Sequence, residues 1–185
     1  MSNPGFNLTI HMVSSLDGMI AKPDNSISWF EASSPYEKGV TGEDPEQFLK
    51  TIDCYVMGSR TYEHALELSK SYGWAYGDKP TVVLTSRPLT SEMKQIEFYS
   101  GGLTQLVTDK LKPRYNSVWV VGGAALVRAL LQEGLVDEVR LSILPIILGD
   151  GLPFFDHVAR ELPLNLKGTT AYKNGMLELH YEMAK

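Results

Sequence analysis

Residues 118–126, Val-Trp-Val-Val-Gly-Gly-Ala-Ala-Leu, change from a strand-like to a helix-like pattern, and this change indicates the class of fold. Val118 to Val121 is a short apolar run rich in β-branched residues, which is typical of a buried strand. Two glycines follow, and a helical pattern then runs from about Ala124 to Glu133, where Gly134 ends it. A strand that passes through glycines into a helix is the repeating unit of α/β proteins.

The same succession recurs on both sides of this stretch. Cys54 to Met57 leads through Gly58 into a helix, and the β-branched run Thr81 to Thr85 ends at a Ser-Arg-Pro turn. Two further short apolar runs, Leu8 to Val13 and Val139 to Leu144, are predicted strands. Strands and helices that alternate in this way favour a mostly parallel sheet flanked by helices.

The C-terminal part of the chain has a different period. Met176 to Met183 alternates with period two, and one face then carries Leu177, Leu179, Tyr181 and Met183. Asn174-Gly175 is a strong hairpin signal, which pairs this strand with Leu164 to Tyr172. We therefore predict one α/β domain over residues 1–185, with a mixed, mostly parallel sheet and a C-terminal antiparallel hairpin.

The composition excludes several classes of protein. Among 185 residues, 17 Lys and Arg stand against 22 Asp and Glu, for a formal net charge of −5. A mildly acidic chain without a basic block is a poor match to nucleic acid or an anionic membrane. No apolar stretch approaches the ~20 residues of a membrane helix, and Met1 to Gly5 lacks the features of a signal peptide. We expect a cytoplasmic protein whose partner is a small-molecule substrate.

The titratable residues predict no metal site. The single cysteine, Cys54, excludes an intrachain disulfide framework and a cysteine-rich metal centre. No histidine takes part in an H-x-H or H-E-x-x-H spacing. The four histidines fall on separate predicted elements, with His180 on the polar face of the last strand: His11, His64, His157 and His180.

Three predicted strands end in small or basic polar turns, at Gly58–Thr61, Thr85–Arg87 and Val121–Ala125. In an open parallel sheet, ligands bind outside the carboxyl ends of the strands. Helix N-termini and glycines at that edge let backbone amides approach phosphate, and Arg60 and Arg87 offer guanidinium groups. These features predict a site for a nucleotide with several phosphates. Both G-x-G-x-x-G and G-x-x-x-x-G-K-[ST] are absent, which disfavours a Rossmann fold and a P-loop ATPase.

Seven motifs follow one another along the chain: Ser14–Ala21, Ser28-Trp29, Val56–Glu63, Leu84–Pro88, Val118–Gly123, Leu135–Glu138 and Pro145–Gly151. Their types and order resemble the dihydrofolate reductase-like superfamily. Within it, the chain is most similar to the reductase domain of bacterial riboflavin biosynthesis proteins. The resemblance extends from Leu8 to Met183 and implies an NADPH-dependent reductase.

The resemblance also implies how NADPH is held. The turn Gly58–Thr61 would bind the diphosphate, Ser86-Arg87 the adenosine 2′-phosphate, and a cis-linked pair Gly122-Gly123 would lie against the cofactor. The cofactor-binding residues that it implies are Val13, Ala21, Gly58, Ser59, Arg60, Thr61, Thr85, Ser86, Arg87, Val121, Gly122, Gly123, Ala124, Ala125 and Leu126.

The segment Val13 to Ala21 would border the nicotinamide and the substrate. The resemblance makes Asp17 a catalytic residue that assists hydride transfer, whereas the Asp-Gly pair by itself is typical of a turn. Ser15 and Trp29 would bind substrate, although a tryptophan after a loop also fits a core position. The implied reaction transfers hydride to a C=N or C=O carbon of a small heterocyclic substrate, of the ribosylamino-pyrimidine type.

Two alternatives stay open. A true dihydrofolate reductase carries a buried carboxylate on its first helix, but here Glu43 and Asp44 precede a helix start at Pro45, and Asp44 is better placed as its N-cap. A protein that binds NADPH without turnover is the alternative of another class. It would keep the turns at Arg60, Arg87 and Gly122 but lack a working proton donor in the substrate pocket. Separately, the segment 31–43 has only Lys38 as a base for the substrate phosphate that the riboflavin branch binds. The family also implies a homodimer, and the apolar stretch Ile143 to Leu148 fits either an interface or the core.

Overall fold

The computed structural model describes residues 5–30 and 45–184. The strands of these residues form a sheet of eight, in the order β5-β4-β3-β6-β1-β7-β10-β9, and a separate pair, β2-β8. They are β1 (Asn7–Ser15), β2 (Met19–Ala21), β3 (Cys54–Gly58), β4 (Thr81–Leu84), β5 (Ile96–Tyr99), β6 (Ser117–Gly122), β7 (Glu138–Leu144), β8 (Leu152–Pro153), β9 (Leu164–Ala171) and β10 (Leu177–Met183).

The helices connect these strands. They are α1 (Pro45–Thr51), α2 (Ser59–Tyr72), α3 (Leu103–Gln105) and α4 (Ala124–Gln132), with a 3-10 turn at Ser28–Phe30 and a π-helical segment at Leu106–Leu111. The described part of helix α1 covers Pro45–Thr51, within the stretch that the sequence predicts to be helical. The expected cap Asp44, together with Glu43 and the segment around Lys38, lies outside the described residues. Helix α4 ends before Gly134, whose φ of +67° is the left-handed value that a helix stop requires.

The sheet has the predicted mixed topology. Strands β5, β4, β3, β6, β1 and β7 are parallel, while β10 runs antiparallel to both β7 and β9. The turn of the hairpin contains Asn174-Gly175, with Gly175 at φ +87° and the Tyr172 amide donating to the Met176 carbonyl at 2.8 Å. The predicted fold class is therefore confirmed. The short β2-β8 pair was not predicted, because two or three residues carry no readable period.

Helices cover both faces of the central strands. On one face, α4 and the segment 103–111 pack on β1 and β6 through a core that includes Leu8, Ile10, Val120, Leu106 and Leu130. On the other face, α1 and α2 cover a cluster that includes Tyr55, Met57, Tyr62, Val83 and Trp119. Two packed layers hold the parallel strands in fixed register, so the turns that follow them are set at defined positions along one edge.

The C-terminal hairpin reverses the usual relation between polarity and burial. Leu177 is 37% exposed, whereas its neighbour Glu178 is 7% exposed. The buried Glu178 carboxylate is stabilised by the Arg140 guanidinium, which donates a hydrogen bond to it at 2.9 Å. Arg140 in turn lies over the Phe48 ring of α1, 4.3 Å from the ring centroid. The alternation predicted which residues share a face, but the packing of α1 decided which face is covered.

Candidate functional site

Three turns lie side by side at the carboxyl edge of the sheet. The register pairs Met57 with Gly122 and Gly58 with Leu84, so the ends of β6, β3 and β4 are adjacent. We call the three turns Gly58–Thr61, Thr85–Arg87 and Gly122–Ala124 the rim. The structure thus places together the turns that the sequence marked as a nucleotide site.

Two of the rim turns approach each other through their backbones. A Cβ added to Gly58 would lie 3.9 Å from the Gly122 carbonyl oxygen, and one added to Gly123 would lie 3.4 Å from Thr61 Oγ1. Gly122 has a φ of +121° and is joined to Gly123 by a cis peptide bond, as the resemblance implied. Glycine at Gly58 and Gly123 lets a ligand approach the backbone at these two positions, whereas a Cβ on the buried Gly122 would lie 3.1 Å from Met12 Cε.

The rim also contains two helix N-termini. Gly58 is the N-cap of α2 and Gly123 that of α4, and neither position has a side-chain capping hydrogen bond. The N-cap residue therefore provides no side chain to cap the first amides of either helix. These amides form the positive end of the helix dipole. Such a pair of N-termini fits the diphosphate of a dinucleotide.

The third rim turn carries a guanidinium. The Arg87 amide donates to Thr85 Oγ1 at 3.0 Å, and this hydroxyl donates to the Arg87 carbonyl at 3.1 Å, which fixes the turn. Arg87 Nη2 donates to Oε1 of Glu63 on α2 at 2.8 Å. Sequence reasoning missed Glu63 as part of this site, because only the fold brings the first turns of α2 beside the end of β4.

The remaining predicted cofactor residues divide by exposure. Arg60, Ser86 and Ala125 are exposed, and Ser59, Thr61 and Ala124 are half-buried at the rim. Two others have mainly packing contacts, since Leu126 is 9% exposed in the core and Val121 packs in the cluster under α2. Val13 is half-buried near the end of β1, and Ala21 is buried in β2.

Asp17 lies in the turn after β1 and ties that turn to the loop after β7. Its Oδ1 accepts from Ser15 Oγ at 2.5 Å and from the Leu148 amide at 3.1 Å, while Oδ2 accepts from the Gly149 amide at 2.8 Å. These hydrogen bonds, first that of Ser15 and then those of Leu148 and Gly149, lower the pKa of Asp17 to about 2. The exposed carboxylate is thus ionised at neutral pH, with both oxygens occupied.

The two predicted substrate residues are buried. The Ser15 hydroxyl, besides donating to Asp17, accepts from the Met19 amide at 2.9 Å, so it is bonded within the turn. Trp29 is 4% exposed and packs with Leu144, Tyr172 and Met176. Its indole nitrogen is buried without a hydrogen-bond partner in the part of the chain that the structure describes. Trp29 therefore occupies a core position, as one of the two interpretations of the sequence expected, and its role toward a substrate stays a prediction.

A second polar region, which the sequence did not predict, crosses β1, β7, β9 and β10 on the face that α1 covers. We call it the polar strip, and it consists of His11, Glu138, Arg140, Ser142, Lys167, Glu178 and His180. Glu138 accepts from Lys167 at 2.6 Å and lies 2.8 Å from His180 Nε2, while His11 Nε2 lies 3.1 Å from Ser142 Oγ. Alternation placed His180 on a polar face, but only the register brings it to Glu138.

The pKa values in the polar strip follow from burial and pairing. His11 is stacked on Trp119 with 4.8 Å between ring centroids. Burial, reinforced by the positive Arg140 and by His180, lowers the pKa of His11 to about 3. Burial alone would raise the pKa of Glu138, but the hydrogen bonds from His180, Lys167 and Asn7 outweigh it and lower that pKa to about 2. The strip is therefore a neutral histidine beside a set of mutually paired charges.

Residues 5–30 and 45–184 contain neither a cluster of metal ligands nor a membrane-spanning helix. No group of three or more His, Cys, Asp or Glu side chains there is arranged to hold a metal ion. None of the helices in these ranges combines the length and the apolar character needed to cross a membrane. Cys54 is buried in the core, and burial raises the pKa of its thiol to about 12.

Known proteins share this architecture. The chain is 31% identical over 175 residues to YwjB of Bacillus subtilis (strain 168), a protein named as uncharacterized, with 95% of this chain and 97% of that one covered. A putative riboflavin biosynthesis protein from Shewanella sp. PV-4 superposes with a TM-score of 0.82 at 22% identity, over 97% of this chain and 100% of that one.

A more distant structure has the same fold. Dihydrofolate reductase from Enterococcus faecalis, in complex with NADP(H) and RAB-propyl, superposes with a TM-score of 0.62 at 15% identity, over 100% of both chains. The fold is accordingly dihydrofolate reductase-like. The family model of the RibD C-terminal domain matches residues 7–177. With nearly its whole length matched, the chain belongs to the RibD C-terminal domain family.

Proposed function

We propose that this protein is an NADPH-dependent reductase. The observation that carries the proposal is the rim, where the N-termini of α2 and α4, each with glycine at the N-cap, and an arginine turn lie together at one edge of the sheet. Membership of the RibD C-terminal domain family supports it, as does a fold shared with a reductase that was solved with NADP(H). Bound reduced nicotinamide would supply the hydride, and the chain would supply alignment of the acceptor.

In this proposal, different rim residues bind different parts of the cofactor. Gly58 and Gly123 present the α2 and α4 amides to the diphosphate, Thr61 and Arg60 flank it, and Arg87 takes the 2′-phosphate. The acceptor would be a C=N or C=O carbon of a small heterocycle, of the ribosylamino-pyrimidine type that riboflavin synthesis uses. We place the activity in the cytoplasm, in keeping with a chain whose single cysteine forms no intrachain disulfide.

The test is a titration followed by a turnover assay. NADPH should quench or shift the intrinsic fluorescence with saturation, and its oxidation should be measured with dihydrofolate, the ribosylamino-pyrimidine and a panel of carbonyl compounds. Oxidation with the ribosylamino-pyrimidine is the expected result. Binding without oxidation of NADPH by any acceptor would favour the alternative of a non-catalytic NADPH-binding protein. Turnover of dihydrofolate alone would favour a folate reductase.

Asp17 would assist this reaction by holding the loop after β7 against the turn after β1. An ionised carboxylate with both oxygens occupied cannot donate a proton, but it holds Leu148 and Gly149 against the turn that follows β1. We expect Asp17→Asn to abolish most turnover and to leave NADPH affinity unchanged. The matched control is Asp24→Asn, which alters another exposed turn aspartate, one that accepts from the Ser26 amide. Full turnover by Asp17→Asn would make Asp17 a turn residue only.

We also propose a homodimer formed through the exposed leucines of the hairpin. Leu166 is 58% exposed, Leu164 is 39% exposed, and both share a face with Leu177, because the register sets them opposite Tyr181 and Met183 of β10. An apolar cavity of about 220 Å³ opens beside Leu164. Exposed leucines on one face of a hairpin suit contact with a second copy related by two-fold symmetry.

Sedimentation distinguishes this face from the stretch Ile143 to Leu148, which the structure divides between core and surface. Leu144 is 1% exposed and Ile147 is 69% exposed. Leu166→Glu should convert a dimer to a monomer, whereas Ile147→Glu should not. A monomeric wild-type protein, or dissociation by Ile147→Glu alone, would contradict this interface.

A further inference from the structure

The ion pair between Glu63 and Arg87 joins two of the elements that form the rim. Nη2 of Arg87 lies 2.8 Å from Oε1 of Glu63, and the two side chains are 54% and 45% exposed. A cation and an anion therefore stand together at the place where the adenosine end of a cofactor would lie.

Both members of the pair rise from fixed positions. Thr85 bonds the backbone of Arg87 in both directions, which holds the turn. Glu63 follows Tyr62, which is 2% exposed in the core, so the side of α2 that carries Glu63 is set by packing. Because these contacts fix the backbone at both Arg87 and Glu63, the carboxylate lies within hydrogen-bond distance of the guanidinium.

We propose that Glu63 is a specificity-determining residue, which limits the preference for NADPH over NADH by competing for Arg87. The inference rests on the proposed function. A 2′-phosphate carries nearly two negative charges at neutral pH. To bind Arg87 it must either displace the carboxylate from Nη2 or occupy the other guanidinium donors and lie beside the carboxylate. NADH carries no such phosphate, and its ribose 2′-hydroxyl can donate to a carboxylate, as in NAD-binding sites of other folds.

The test compares Kd values for both cofactors in wild type and in Glu63→Gln at low salt. The glutamine keeps the size of the side chain and removes its charge. NADPH should bind about two- to fivefold more tightly, the range typical of one exposed ion pair, and NADH should bind equally or more weakly. Because charges at this exposure are screened, the gain should shrink as ionic strength rises.

Glu67→Gln is the matched control. Glu67 lies one turn further along α2, forms an ion pair with Lys70 and is 70% exposed. It makes the same change in net charge on the same helix, so unchanged Kd values for both cofactors are expected. An equal gain in NADPH affinity from Glu67→Gln would mean that the effect of Glu63→Gln comes from net charge alone, and would overturn the inference.

The double variant tests the competition itself. In an Arg87→Ala background there is no guanidinium to compete for, so Glu63→Gln should give a smaller gain in NADPH affinity. A gain that is undiminished there, or equal gains for NADPH and NADH, would overturn the role of Glu63 while leaving the reductase proposal intact. If wild type binds neither cofactor, the proposed function fails, and this inference fails with it.

Discussion

The rim and the polar strip both contain arginine and glutamate side chains, yet they use them differently. At the rim, Arg87 and Glu63 are about half exposed and lie beside backbone amides that have no side-chain cap. In the strip, the Arg140 and Glu178 side chains are 20% and 10% exposed and pair with each other. Charges that neutralise one another under a covering helix stabilise the fold, whereas charges left at an open edge are available to a ligand. Exposure thus separates charges that stabilise the fold from charges that a ligand can reach.

The largest expected effect lies in the strip, at His11. The unfolded histidine takes up a proton near its ordinary pKa of 6.5, but the folded one does so only near 3. The unfolded state then binds more protons, so the free energy of unfolding should fall by about 1.4 kcal/mol for each pH unit below 6.5. His11→Phe should remove this slope in urea unfolding measured between pH 7 and 4. An unchanged slope would mean that His11 is protonated in the folded protein.

Glu138 should give the next largest effect. Its pKa of about 2 in the folded state lies below the ordinary value of 4.5, so its stabilising contribution is complete above 4.5 and disappears as the pH falls through 2. The difference corresponds to about 3 kcal/mol. Glu138→Gln should lower the free energy of unfolding by about this amount at pH 7, and leave NADPH affinity unchanged.

The control for Glu138 is its neighbour on the adjacent strand β10. Glu182 pairs with Glu138 in the register of β7 and β10 and is exposed. Glu182→Gln should change stability by no more than about 0.5 kcal/mol, as is usual for surface substitutions. A loss of cofactor affinity in Glu138→Gln would show that the two regions are coupled, contrary to the comparison.

Substitution at the rim should have the smallest effect on the stability of the fold. Arg87→Ala should weaken NADPH binding by about 1.5–3 kcal/mol, the worth of a hydrogen bond to a charged group, with little effect on NADH. Its unfolding curve should match that of wild type, because the side chain is 54% exposed. Arg114→Ala is the control, since Arg114 forms a similar exposed ion pair with Glu97 but precedes β6 at the opposite end of the strand. Equal losses for NADPH and NADH would move the 2′-phosphate site elsewhere.

Local signals were sufficient for much of the rim. Apolar runs that end in Gly58 or Gly122 identify strand, turn and helix from adjacent residues, and the rule that parallel strands end at one edge then brings the turns together. Local patterns could not predict the hydrogen-bond partners of Asp17, because Leu148 and Gly149 are 131 and 132 residues away in the chain. Trp29 shows the same limit, since its neighbours Tyr172 and Met176 come from the hairpin.

Local sequence was enough to predict the class of fold, the hairpin at Asn174-Gly175 and the residues that share each strand face. These features depend on short-range periodicity and on the conformations that glycine permits. Three other features follow only from packing between distant elements: Glu178 is more buried than Leu177, His11 lies beneath Phe48, and Glu63 reaches Arg87. Such contacts join elements distant in the chain, and their energies depend on burial and on the partner charge, which no local pattern encodes.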